Sequence, residues 1–201
     1  QPTIQGNQVA FAYGGDLWTT NLSDNLTIRL TSTPAMESNP HISPDGKWVA
    51  FTSNRSGSSA VYMVSISGGE AKRLTWHTSS DLARGWTNDG KHVLFASNRD
   101  TAPSSFNRLY TVSVNGGPVT KLFEQWATSG SYAPNGKQIV IDKMRRWDEE
   151  WRDYRGGQNT PLIIVDLATL NETLLPNNKT TDKYPVWNGD LVISYQTERI
   201  L

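Results

Sequence analysis

The sequence predicts an all-β chain built of β-propeller blades, each of four antiparallel strands, and three observations carry that expectation. A turn-and-strand unit, Ser43-Pro44-Asp45-Gly46-Lys47-Trp48-Val49-Ala50-Phe51-Thr52-Ser53-Asn54-Arg55, returns as Thr87-Asn88-Asp89-Gly90-Lys91-His92-Val93-Leu94-Phe95-Ala96-Ser97-Asn98-Arg99. A looser copy is Ala133-Pro134-Asn135-Gly136-Lys137-Gln138-Ile139-Val140-Ile141-Asp142. The period is 44 residues from Asp45 to Asp89 and 46 from Asp89 to Asn135, the length of a multi-stranded propeller blade. Within each period, short runs alternate apolar and polar residues, as half-buried strands do, and helical periodicity is almost absent.

A first blade over residues 2–31 opens on the degenerate turn Gln5-Gly6-Asn7 and continues through Gln8–Tyr13, Leu17–Leu22 and Thr27–Leu30. A second, about 38–77, places its third strand at Ala60–Ile66 and its outer strand at Ala71–Thr75, joined through Ser67-Gly68-Gly69. A third, about 82–124, repeats this with Leu109–Val114, Asn115-Gly116-Gly117 and Val119–Leu122. Paired glycines suit these hairpins because the tight turn needs positive φ, which glycine adopts without steric cost. The innermost strands align as Pro40-His41-Ile42, Arg84-Gly85-Trp86, Gly130-Ser131-Tyr132 and Pro185-Val186-Trp187, with a bulky residue third each time. That column is expected to space one blade from the next. The fourth blade, about 128–176, carries an insertion, since Asn135 to Asn188 is 53 residues. Residues 182–201 begin a fifth blade with Leu191–Tyr195 as its second strand, so the ring is expected to be incomplete, about four and a half blades as one partial domain over 1–201. Open blade edges imply pairing with another chain and hence oligomers.

Composition narrows the function. Nineteen basic and 19 acidic residues balance, so no net field recruits nucleic acid or an acidic membrane. The absence of cysteine excludes disulfides, thiolate catalysis and Cys-ligated zinc. No apolar run approaches the length of a membrane span. Residues Gln1-Pro2-Thr3-Ile4 show neither an initiator Met nor signal-peptide character, which predicts a processed chain. The high content of Asn, Ser and Thr leans toward a periplasmic or exported location.

No nucleophile elbow, His-Glu-x-x-His, P-loop or dinucleotide fingerprint is present, and neither a cofactor nor a catalytic residue is expected. His41, His77 and His92 could share a metal only through ring geometry, and the expectation is no metal site. Asp45 and Asp89 have the residue type of a glycosidase acid pair, but their place in turn signals favours backbone capping by the carboxylate. Asn54-Arg55-Ser56 and Asn171-Glu172-Thr173 fit the short glycosylation pattern. The insertion is where a binding role competes. Eight of the eleven residues 145–155 are charged, interleaved with Trp147, Trp151 and Tyr154. Arg145, Arg146, Arg152 and Arg155 beside those aromatics could hold a peptide terminus by bidentate hydrogen bonds and stacking. The competing reading is internal: the arginines pair with Asp148, Glu149, Glu150 and Asp153 and stack on the tryptophans. Trp147, Trp151 and Tyr154 also stand at i, i+4 and i+7, the spacing of a short helical turn.

With the Ser-Pro-Asp-Gly and Ser-Asn-Arg repeats and the segment Arg152-Asp153-Tyr154-Arg155-Gly156-Gly157, the chain resembles the N-terminal propeller of tricorn-type proteases. The repeats are shared with TolB-type propellers and cover most of the chain; the Tyr-Arg-Gly-Gly segment is the narrower signal. The resemblance implies a six-bladed propeller that is itself not catalytic. It further implies control of peptide access to, or product exit from, a serine-protease domain outside this chain, with PDZ-like and protease domains as partners. Two alternatives are a TolB-type protein-interaction propeller and a propeller attached to an amidohydrolase-type enzyme. The sequence downstream of Leu201 would separate them.

Overall fold

The computed structural model describes residues 2–101, 106–143, 161–176, 181–189 and 192–198. Among them every regular element is a strand, and the strands form successive antiparallel meanders. The first sheet runs β1 (Thr3–Gln5), β2 (Gln8–Tyr13), β3 (Asp16–Asn21), β4 (Thr27–Arg29) in spatial order. The second holds β5 (Glu37–Ile42), β6 (Trp48–Ser56), β7 (Ser58–Ser65) and β8 (Lys72–Arg73). The third holds β9 (Asp81–Trp86), β10 (His92–Ser97), β11 (Arg108–Ser113) and β12 (Val119–Lys121). The fourth holds β13 (Ser129–Tyr132), β14 (Gln138–Asp142), β15 (Ile163–Asp166) and β16 (Glu172–Leu174), and β17 (Thr181–Asn188) pairs β18 (Val192–Glu198). Four four-stranded sheets and a two-stranded one make the incomplete propeller that the repeats predict.

The second and third sheets each pack through both faces, because alternate side chains of a central strand point to opposite sides. Phe51, Tyr62 and Val49 of the second sheet pack on Ala10, Leu17 and Leu30 of the first. The neighbouring residues Ala50, Val61 and Met63 pack instead on Ala83, Trp86, Phe95 and Tyr110 of the third. Leu94, Ala96 and Leu109 of the third sheet meet Ile139, Ile141 and Ile163 of the fourth. The core is therefore a series of layers between blades. Gly130 marks a tight point, since a Cβ there would lie 3.0 Å from Leu109 Cδ1 and 3.1 Å from the Val140 carbonyl oxygen.

The recurring turn is closed the same way each time. Gly46 N–H donates to the Ser43 carbonyl at 2.9 Å and Gly90 N–H to that of Thr87 at 2.9 Å, with φ of 71° and 67° at the glycines. Asp45 Oδ1 accepts from Lys47 N–H at 3.1 Å, Asp89 Oδ1 from Lys91 N–H at 3.0 Å, and Asn135 Oδ1 from Lys137 N–H at 2.8 Å. Asp and Asn are interchangeable here because only a carbonyl-type acceptor is needed.

The inner strands are less regular than their sequences suggest. In β5, β9 and β17 the register slips by one residue, at Asn39-Pro40, at Arg84 and at Tyr184-Pro185. Asn39 and Tyr184 take positive φ, 50° and 54°. A bulge of this kind releases a residue from the ladder and re-aims its side chain.

Candidate functional site

The Ser-Asn-Arg end of the repeat builds a clasp. Arg55 Nη2 donates to Glu37 Oε1 at 2.6 Å and its Nε to Ser53 Oγ at 3.0 Å, while its guanidinium lies 4.8 Å from the Tyr62 ring centre and 5.5 Å from that of Phe51. Arg99 repeats this on Asp81, Ser97, Phe95 and Tyr110. The aromatic rings are cross-strand pairs, Phe51 opposite Tyr62 and Phe95 opposite Tyr110, stacked at 5.8 and 5.5 Å. Both acids are buried, and each clasp pins an inner strand to the end of the second strand of its own sheet. Tyr110 Oη donates to Asp100 Oδ2 at 2.8 Å, and burial together with that carboxylate holds its phenol above the ordinary tyrosine range. These arginines are structural.

Asp45 and Asp89 likewise serve their turns. Ser43 Oγ–H and Thr87 Oγ1–H each donate to them at 2.6 Å, and those hydroxyls, with the Lys47 and Lys91 amides, hold both carboxyls below the usual range. A strongly acidic, turn-bound carboxylate is a poor general acid at neutral pH. Among the described residues no three His, Asp or Glu side chains gather as metal ligands.

The inner strands of all five sheets face one open cavity of about 250 Å³, lined by Thr3, His41, Arg84, Ser131 and Val186 among others. Trp86 joins two walls by donating its Nε1–H to the His41 carbonyl at 2.8 Å. Burial, reinforced by the Arg84 charge, pushes the His41 imidazole down to about 3, so it stands neutral at physiological pH. Arg84 donates its Nε–H to the Thr128 carbonyl of the next sheet at 2.6 Å. Asp142, buried in that sheet, accepts from Thr128 Oγ1, from Ser129 N–H at 3.1 Å, from Ser129 Oγ at 2.6 Å and from Tyr184 N–H at 2.8 Å. It thereby ties the fourth sheet to β17.

The sequence reading places its binding candidates in Arg145, Arg146, Trp147, Trp151, Arg152, Tyr154 and Arg155, and these lie outside the described residues. Arg84, the cation that lines the cavity, is what that reading passes over. The aligned inner strands do contain a signal for Arg84: it is a cation in a column otherwise filled by Pro40, Gly130 and Pro185.

Residues 1–198 match the family model described as the tricorn protease N-terminal beta propeller domain. Tricorn protease homolog 1 of Streptomyces coelicolor is 32% identical over 198 residues, covering 95% of this chain and 18% of that protein. The putative Tricorn-like protease N-terminal subunit of Sulfurisphaera tokodaii is 31% identical over 166 residues, 81% of this chain and 84% of that one. A crystal structure of the tricorn protease superposes with a TM-score of 0.76 at 24% identity, covering 94% of this chain and 19% of that one, which is a likeness of fold. The chain thus spans under a fifth of the Streptomyces relative.

Proposed function

Because the chain belongs to the tricorn protease N-terminal propeller family, we propose that it governs the passage of peptides to or from a serine-protease domain outside residues 1–201 and does not itself cleave them. The observation that supports this is the shared cavity walled by five inner strands. The Sulfurisphaera relative is named an N-terminal subunit, which supports a propeller acting on a protease carried by another chain.

The repeat register favours a peptide-contacting role for the insertion. Arg55, Arg99 and Arg145 each stand ten residues after the turn residues Asp45, Asp89 and Asn135. Eight residues before those turns stand Glu37, Asp81 and then Ala127, so the fourth blade lacks the acid. Its cross-strand pair is Ile141 opposite Ile163 in place of two aromatic rings, and Lys143 replaces the serine. The repeat register therefore does not supply, at the corresponding sequence positions, the clasp residues that serve Arg55 and Arg99. On that register Arg145 is the candidate for a peptide carboxylate, with Arg146, Trp147, Trp151, Arg152, Tyr154 and Arg155 beside it in sequence.

The test is made in the full-length protease with Arg145→Ala and, separately, with Arg152→Ala combined with Arg155→Ala. The expected result is an unchanged thermal midpoint with reduced peptide turnover. A loss of stability on the order of 1–3 kcal/mol with normal turnover of the folded enzyme would instead assign the segment to internal packing.

A further inference from the structure

Arg84 differs from the clasp arginines in every respect that matters for a ligand. It is the extra residue of the β9 bulge, where Ala83 pairs with Phe95 and Gly85 with Leu94. Its side chain lines the central cavity. Arg29, Arg55 and Arg99 each form an ion pair with a carboxylate of their own sheet, whereas among the described residues no carboxylate lies within ion-pair distance of Arg84. Among the described residues it donates two hydrogen bonds, from Nε to the Thr128 carbonyl at 2.6 Å and from Nη1 to the Ala83 carbonyl at 3.4 Å, and guanidinium carries five N–H donors. Among the described residues Nη2 has no hydrogen-bond acceptor.

We propose that Arg84 makes the wall of the central channel a binding site for a single carboxylate, carried as the free C-terminus of an extended peptide. Three features select that ligand. The short Nε contact fixes the guanidinium plane, and Nη2 together with the second N–H of Nη1, whose first is spent on a long 3.4 Å bond to Ala83, presents a fork to a planar two-oxygen acceptor. The nearby charges allow one negative charge and not two, because His41 is neutral and the buried Asp142 adds its own field opposite Arg84. A phosphate dianion would find a single partly compensated cation. The remaining lining carries little charge (Gly85, Gly130, Ser131, Pro185 and Val186), which suits a peptide backbone more than a second ionic group. That the carboxylate arrives on a peptide rests on the passage reading; the carboxylate site itself does not.

Calorimetric titration of the unaltered chain with an N-acetylated alanine tripeptide, its C-terminal amide and inorganic phosphate tests this directly. The free acid is expected to bind at least tenfold more tightly than the amide and more tightly than phosphate. In Arg84→Gln, which keeps a donor for the Thr128 carbonyl, the acid is expected to fall to the level of the amide. Equal binding of acid and amide, or no binding of either, overturns the site. Tighter binding of phosphate overturns the choice of carboxylate. If Arg84→Gln folds and binds the acid undiminished, Arg84 is not the recognition group. Should that variant not fold, the comparison of acid, amide and phosphate on the unaltered chain still decides. Binding of the acid by the unaltered chain and its loss in Arg84→Gln, together with normal peptide turnover in full-length Arg84→Gln, would uphold the site and sink the passage reading.

Discussion

Arg99 Nη2 donates to both carboxylate oxygens of Asp81, at 2.8 and 2.7 Å, while its guanidinium lies 5.1 Å from the ring centres of both Phe95 and Tyr110. The Asp81 side chain is wholly buried and that of Arg99 is 10% exposed. Removing one member of such a pair strands the other charge. Arg99→Ala is expected to cost about 3–5 kcal/mol, Arg55→Ala less, and Arg29→Ala least, following side-chain exposures of 10%, 23% and 45%. Urea unfolding of the three variants checks the order; equal losses would mean that aromatic stacking, and not desolvated charge, dominates.

Trp86 fills the layer between the second and third sheets and also donates across it to the His41 carbonyl. Trp86→Phe keeps most of the ring and leaves that carbonyl without its partner, for an expected cost of about 1–2 kcal/mol. Trp86→Ala adds a cavity and is expected to cost about 3–5 kcal/mol. Thermal denaturation of both separates the hydrogen bond from the packing.

The His41 imidazole, held near 3 in the folded protein, sits below its ordinary value of 6.5. On acidification the unfolded chain takes the proton first, so stability is whole above about pH 6.5 and declines as pH falls toward 3. The slope is at most about 1.4 kcal/mol per pH unit. The turn carboxylates, held below the usual range in the folded protein, contribute mainly at lower pH, so His41→Gln should flatten the curve nearest about pH 6. An unaltered slope in that variant would show that His41 is protonated in the native state.

Asp45 and Asp89 act as acceptors for turn amides, and Asn135 does the same in the fourth blade. Asp45→Asn and Asp89→Asn should therefore be nearly neutral, and each Asp→Ala should cost about 1 kcal/mol. Peptide turnover by the full-length protease is expected to be unchanged in the double Asp→Asn variant. Loss of turnover there would revive the carboxylate pair as chemistry.

Gly130 is hemmed in by Leu109, Ile139 and the Val140 carbonyl, and the last of these is backbone that moves reluctantly. Gly130→Ala is expected to destabilise by about 1–3 kcal/mol through overpacking. Gly68→Ala, at a positive-φ turn with open space around it, isolates the conformational cost alone for comparison.

The layering of the fold is legible in the sequence because its signals are local. A turn residue, a glycine and an alternating run lie within a dozen positions, and three copies share one register. The clasps are half legible. Ser-Asn-Arg is conspicuous as a repeat, but the acid that meets the arginine lies 18 residues earlier, on a strand that reaches it only by pairing. The bulges leave no compositional trace, since one surplus residue changes neither hydrophobicity nor turn chemistry. Arg84 consequently reads as one more polar strand residue until the pairing is known. Only the mismatch of its charge with Pro40, Gly130 and Pro185 hints at its position. The insertion is conspicuous by composition, yet composition fits pairing within the segment as well as it fits a ligand.

The meander order has a consequence for biogenesis. Each four-stranded sheet is made from one continuous stretch, from Thr3–Arg29 in the first to Ser129–Leu174 in the fourth, and no described strand is lent to a distant sheet. At a synthesis rate of about 5–20 residues per second, a complete sheet leaves the ribosome every few seconds, longer than an antiparallel sheet of this size needs to form. The nascent chain can thus add layers in sequence. Each finished blade offers its exposed apolar face as the template for the next, and one unlayered face at a time is open to misassociation while the remainder is being made.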